Sequence, residues 1–208
     1  MNRCLKILLF IAYGWFLAQG MFGPLFVIFA GNVGGDVLDI TGAYTAYYVV
    51  VGILYFVVGK LADKLHAEKK IMTIGYAIDT VVCFGYLFVT DPMGLFITQI
   101  FCGVAMACTT PTWNTLYTEY LESGKKNSGW SYYGGGSQII QAIAMSAGGM
   151  IISFFSFEVL FMTMGIVMFI STVSIMSIRN DSVCMTTKAS RKESSKMNYR
   201  PRGQYRRT

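Results

Sequence analysis

Six long apolar runs constrain this chain more than any other feature, at Leu5–Ala30, Gly42–Gly59, Ile71–Thr90, Gly94–Leu116, Tyr132–Phe154 and Phe157–Ile178. Most are near the roughly 20 residues that a helix needs to cross a hydrocarbon core. A backbone in lipid must satisfy its own N–H and C=O groups, so runs of this kind fold as helices. The expected fold class is an all-α membrane protein with six transmembrane helices. A mean hydropathy of +0.49 with only 13% charged residues argues the same way, because too little polar surface is left to cover a water-soluble globule. The connections fall at Asn32–Thr41, Lys60–Lys70, Asp91–Met93, Tyr117–Ser131 and Ser156.

Lys and Arg near span ends stay on the cytoplasmic side, whereas acidic residues weigh little. Here Arg3 and Lys6 precede the first span, Lys60, Lys64, Lys69 and Lys70 occupy the second connection, and Lys125 and Lys126 the fourth. Every other basic residue follows Ile178, while the opposite connections carry Asp36, Asp39, Asp91 and Glu158. One orientation in a cell membrane satisfies all 17 basic residues, with both termini and the 60–70 and 117–131 loops in the cytoplasm. The first apolar run continues well past a signal-peptide core and has no small-x-small cleavage site, so it reads as a retained helix.

Two regions follow from composition. Residues 1–178 form the six-helix bundle, and residues 179–208 form a basic cytoplasmic tail that is too polar to bury a core and is expected to be disordered. The net charge of +6 is concentrated in that tail. It attracts anionic lipid headgroups or is simply a positive-inside tail, and the second reading asks for less. Nucleic-acid binding lacks a folded module to support it. The five cysteines and the lone His66 show no metal-ligand spacing, and nothing calls for a cofactor or for covalent chemistry.

The stretch Gly59-Lys60-Leu61-Ala62-Asp63-Lys64 lies between the second and third spans, followed by Glu68, Lys69 and Lys70. Its glycine permits close helix approach, its carboxylate suits the positive N-terminal end of another helix, and its cations suit lipid phosphates. It resembles the loop signature of the major facilitator superfamily, Gly-x-Leu-Ala-Asp-Arg-x-Gly-Arg-Lys. Gly59, Leu61, Ala62 and Asp63 match and Lys64 replaces Arg, but His66 and Ala67 stand where Gly and Arg belong. Gln99-x-x-x-Gly103, Pro111, Glu119 and Lys125-Lys126-x-x-Gly129 follow the family's fourth helix and next loop in order. Gln99 replaces an arginine often tied to proton coupling, and Ala144–Gly149 departs from the family's fifth-helix pattern.

The resemblance implies a transporter, whose twelve helices form two parallel six-helix halves with the substrate site between them; this chain resembles one half. It further implies that the first and fourth helices line the cavity, which points to Gln19, Gln99, Thr109, Thr110, Trp113 and Asn114 as substrate-cavity candidates. Each of these also reads as interhelical glue, and singly that reading asks for less. The loop residues Gly59, Leu61, Ala62, Asp63 and Lys64 become the conformational-switch candidates.

Asp79 is the ionisable side chain deep in a span, and such groups default to a functional hypothesis such as ion coupling. The family fold puts the third helix at the periphery, which favours a protonated helix-bonding role, and the two readings stand even. Tyr76 and Thr80 are the expected partners. Pro111 is expected to loosen the fourth helix around Ala107. Tyr44, Tyr47, Tyr48 and Tyr55 read partly as an interfacial belt.

The function these observations point to is non-enzymatic: a carrier of a small solute working by alternating access as a parallel homodimer of half-size subunits. The alternatives are an incomplete or split half that needs a different partner chain, and a non-transporting membrane assembly protein. The absence of intramembrane Lys, Arg or His argues against strongly anionic substrates.

Overall fold

The computed structural model describes residues 3–122 and 124–176; the basic tail expected over 179–208 lies outside them. All regular structure within the described residues is helical. The first span is α1 (Arg3–Phe22), a 3₁₀ turn at Gly23–Leu25 and α2 (Phe26–Asn32). Pro24 falls at the start of that turn, where its missing N–H and fixed φ change the winding without ending the span. The other five spans are α3 (Val37–Leu65), α4 (Glu68–Gly85, prolonged by a 3₁₀ turn to Phe88), α5 (Pro92–Tyr120), α6 (Lys126–Phe154) and α7 (Phe157–Met176). This is a multi-pass membrane protein.

The helices are longer and the connections shorter than hydropathy alone indicates. α3 continues through Lys60 and Asp63 to Leu65, and α6 starts at Lys126 rather than Tyr132. Hydropathy marks where lipid contact ends, whereas helix bonding continues until a cap stops it. Asp36 starts α3 through a capping box with Asp39, and Asp91 starts α5 by accepting from the Gly94 N–H at 2.7 Å. At the other end of α3, His66 closes the helix in the left-handed conformation, φ 48° and ψ 42°, its N–H bonded to the Ala62 carbonyl. The signature motif's glycine position therefore keeps its backbone role here, carried out by a histidine.

Within the bundle, α3 packs on α5, α5 on α4, α4 on α7, α7 on α1 and α1 on α6. The result is an arc with α3 and α6 at its two ends. The inner helices interlock through small residues: a Cβ on Gly75 of α4 would lie 2.6 Å from the Thr109 methyl and 2.9 Å from the Ala105 carbonyl on α5. A Cβ on Gly148 of α6 would strike the Met21 carbonyl of α1. The end helices stay open, with only 11% of the apolar window of α3 and 17% of that of α6 buried, against 39–50% for the other four spans.

Candidate functional site

Asp79 lies near the middle of α4, 3% exposed, and faces the interior of the bundle. Its partners come from α1. The Trp15 indole Nε1–H donates to Oδ2 at 2.9 Å, and Gln19 Nε2 donates to Oδ1 at 3.1 Å and to Oδ2 at 3.3 Å. Trp15 and Gln19 are one helical turn apart, so both donors project from one face of α1. Tyr76 and Thr80 are not the partners: Thr80 bonds the Tyr76 carbonyl at 2.8 Å and the Thr172 hydroxyl of α7 at 2.9 Å. Nor is the carboxylate peripheral, since α4 turns it toward α1 rather than toward lipid.

Beside this group is a partly open cavity of about 170 Å³, bordered by α1, α3, α4 and α5. Gln19 and Asp79 form part of its wall, with Gln99 and Cys102 opposite on α5. Gln99 Nε2 reaches the Tyr86 hydroxyl at 3.5 Å, and that hydroxyl lies 3.8 Å from Cys102 Sγ. Tyr44, Tyr47 and Tyr48 of α3 complete the wall, so the tyrosine series there is as much a cavity lining as an interfacial belt.

Two of the six cavity candidates, Gln19 and Gln99, are at this site. Thr110 donates to Met106 Sδ at 3.2 Å, just below Met106's place on the cavity wall. Thr109 instead faces α4 across Gly75 and bonds the Met106 carbonyl at 3.2 Å. Asn114 is exposed, and Trp113 is buried away from the cavity. The Trp113 indole donates to the Leu8 carbonyl at 3.2 Å, and its ring stacks on Tyr117 with centroids 4.5 Å apart. Tyr133 and Trp130 of α6 join that aromatic cluster, which closes α1, α5 and α6 together toward the end of the bundle that bears Lys125 and Lys126. Pro111 lies within an unbroken α5, whose nearby hydroxyls Thr112 and Thr115 bond the Cys108 and Pro111 carbonyls.

The signature residues occupy the last turns of α3. Ala62 is buried with Val58 and Ile71, whereas Asp63 and Lys64 are exposed and Gly59 has open space beside it. Trp15 is the cavity residue that the sequence marks least. Its one signal is the spacing of four from Gln19, which puts two N–H donors on a face otherwise apolar.

Six helices long and apolar enough to cross a membrane, with a polar, aromatic-lined cavity among them, are the make-up of a membrane-embedded helical bundle. The sequence profile of the Major Facilitator Superfamily matches residues 8–203, and the chain belongs to that family of membrane transporters. It is also similar to an uncharacterized MFS-type transporter, YitZ, of Bacillus subtilis (strain 168). The two are 18% identical over 161 residues, which make up 77% of this chain and 98% of that protein. That relative is therefore itself no longer than this chain.

Proposed function

We propose that two copies of this chain, side by side in one orientation, form a carrier that moves a small solute by alternating access. The observation that carries this reading is the arc: α3 and α6 are its ends and its least covered helices. Two arcs related by a twofold axis along the membrane normal close into a ring when α3 of each meets α6 of the other, which encloses the Asp79 cavities between them. A relative of similarly short length supports a half-size unit. The segregation of basic residues supports an orientation in a cell membrane with both termini and the α3–α4 and α5–α6 turns in the cytoplasm.

The residues used within the chain narrow the interface. Gly136, Ala144 and Gly148 of α6, which small-residue packing between copies suggests, are instead consumed against Tyr13, Gly20 and Met21 of α1. Exposed small residues on α6 are Ser131, Gly135, Ala142, Ser146 and Ser153, interspersed with Ile139, Ile143 and Met150, and α3 offers Thr45 and Gly52 beside Tyr48, Val49 and Phe56. Small residues at these spacings let helices of two copies approach closely. At the cytoplasmic end, Asp63 of one copy meets the N-terminus of α6 in the other, where Lys125 supplies no side-chain cap and Lys126 adds positive charge. Such a contact is worth about 0.3–1 kcal/mol if exposed, up to roughly 2 if partly buried, so it biases the cytoplasmically closed state without holding the dimer. In this reading the Trp113 cluster closes the cytoplasmic side while the cavity serves the opposite side.

Cysteines at Asp63 and Lys126 provide the test. Disulfide formation between chains in native membranes is expected, with flux of solute in vesicles of the pure protein. Cross-links within chains only, a monomer in bilayers, or labelling of the Lys126 cysteine from outside intact cells overturns the reading.

A further inference from the structure

The cavity's walls and its charge do not match in the ordinary way. Among the described residues, one carboxylate, Asp79, is the sole acidic side chain on the wall, and no Lys, Arg or His lines it. An ionised carboxylate offers roughly four acceptor positions, and the N–H groups of Trp15 and Gln19 do not use them all. Both partners present N–H alone, so the site is built around an acceptor and leaves its charge without a counter-charge. A charge in that position is costly unless something of opposite sign completes it.

The rest of the wall says what that something is. Trp15, Phe22, Tyr44, Tyr47, Tyr48 and Tyr86 line the cavity, from α1, from α3 and from the turn that ends α4. Aromatic faces attract cations through their quadrupole, most effectively a weakly hydrated ammonium whose carbon substituents also fill apolar space. A small metal ion would draw on oxygen ligands alone, whereas an organic ammonium also uses the carbon surfaces that make up the larger part of this wall. A cavity of about 170 Å³ is small beside the roughly 300–1,000 Å³ of drug-sized sites. That limits the occupant to a molecule well below drug size.

We propose that the Asp79 cavity binds a small organic ammonium ion, with Asp79 as its counter-charge, the surrounding rings as its walls, and Trp15 and Gln19 fixing the carboxylate. The binding stands on one chain's geometry, and its role as cargo rests on the carrier reading above. Gln99, across the cavity, is the residue placed to accept a hydrogen bond from a primary ammonium or to tolerate a fully alkylated one.

The test is equilibrium binding to the full chain in lipid nanodiscs, using radiolabelled methylammonium, tetramethylammonium and tetraethylammonium, with neopentyl alcohol as an uncharged near-isostere. At least one cation is expected to bind saturably and resist displacement by the alcohol. Asp79→Asn is expected to weaken that binding by about tenfold or more, as loss of a buried charge-assisted contact should, and Tyr47→Leu to weaken it less. Failure of all three cations to bind, equal competition by neopentyl alcohol, or undiminished binding to folded Asp79→Asn overturns the proposal. The wild-type comparison with the alcohol decides even if the Asp79→Asn protein fails to fold. Cation binding without flux in vesicles keeps the site and removes the carrier reading; flux without cation binding removes the site alone.

Discussion

The inner helices and the end helices of this bundle solve the same problem differently. On α1, α4 and α7, polar side chains reach across to one another: Asp79 takes Trp15 and Gln19, and Thr80 pairs with Thr172. On α3 and α6, among the described residues, the hydrogen-bonded Ser and Thr hydroxyls stay within their own helix, a bond that Thr80 and Thr172 make in addition to their pairing. Thr41 bonds Val37 O at 2.8 Å, Thr45 bonds Thr41 O at 2.8 Å, and Ser153 bonds Gly149 O at 2.8 Å. A hydroxyl satisfied within its own helix leaves the outer surface compatible with lipid and equally with a neighbouring helix. The inner set thus fixes one arrangement of the chain, while the outer set keeps two faces available.

The strongest way to break this comparison is to add bulk to each region. Gly75→Leu on α4 forces a side chain into Thr109 and the Ala105 carbonyl of α5 and is expected to cost about 1–3 kcal/mol or more, read as lost resistance to SDS unfolding. Gly52→Leu on α3 has open space beside it and is expected to leave that unfolding curve unchanged while lowering the dimer fraction in bilayers. Equal damage to folding from both would show that the end helices are packed within the chain as tightly as the inner ones.

A smaller effect of opposite sign is expected where α3 ends. His66 holds the left-handed cap conformation that costs a side-chain-bearing residue about 1–2 kcal/mol, and glycine escapes most of that penalty. His66→Gly is expected to raise stability by about 1 kcal/mol in the same titration, and a loss would mean that the imidazole itself contributes to the turn. Smallest of all is the Thr80–Thr172 pair. Hydrogen bonds between membrane helices average about 0.6 kcal/mol in double-mutant cycles, so Thr80→Val and Thr172→Val together should be less damaging than their sum by about that amount. Strict additivity would remove the pair from the inner set's account.

The site was only half legible. Gln19 and Gln99 reach the cavity, but Thr109 and Trp113 sit on faces of α5 turned toward α4 and toward α1 and α6. A helix that is apolar nearly all round has no stripe to say which face turns inward. Its rotation about its own axis is settled by small-residue contacts such as Gly75 against Thr109, and these join residues far apart in the chain.

What the sequence determined by itself is the number of spans, their alternation, the segregation of basic residues to one end, and the motif at the end of α3. Transfer into a bilayer sums over neighbouring residues, and charge at a loop is a local quantity, so both are readable along the chain. The tertiary structure alone decided that Asp79 meets Trp15 and Gln19, more than fifty residues away, that Tyr44, Tyr47 and Tyr48 of α3 line a cavity, and that α3 and α6 are the least covered helices. Those outcomes depend on how six rigid cylinders of similar polarity pack, which close contacts between particular side chains decide and no single segment encodes.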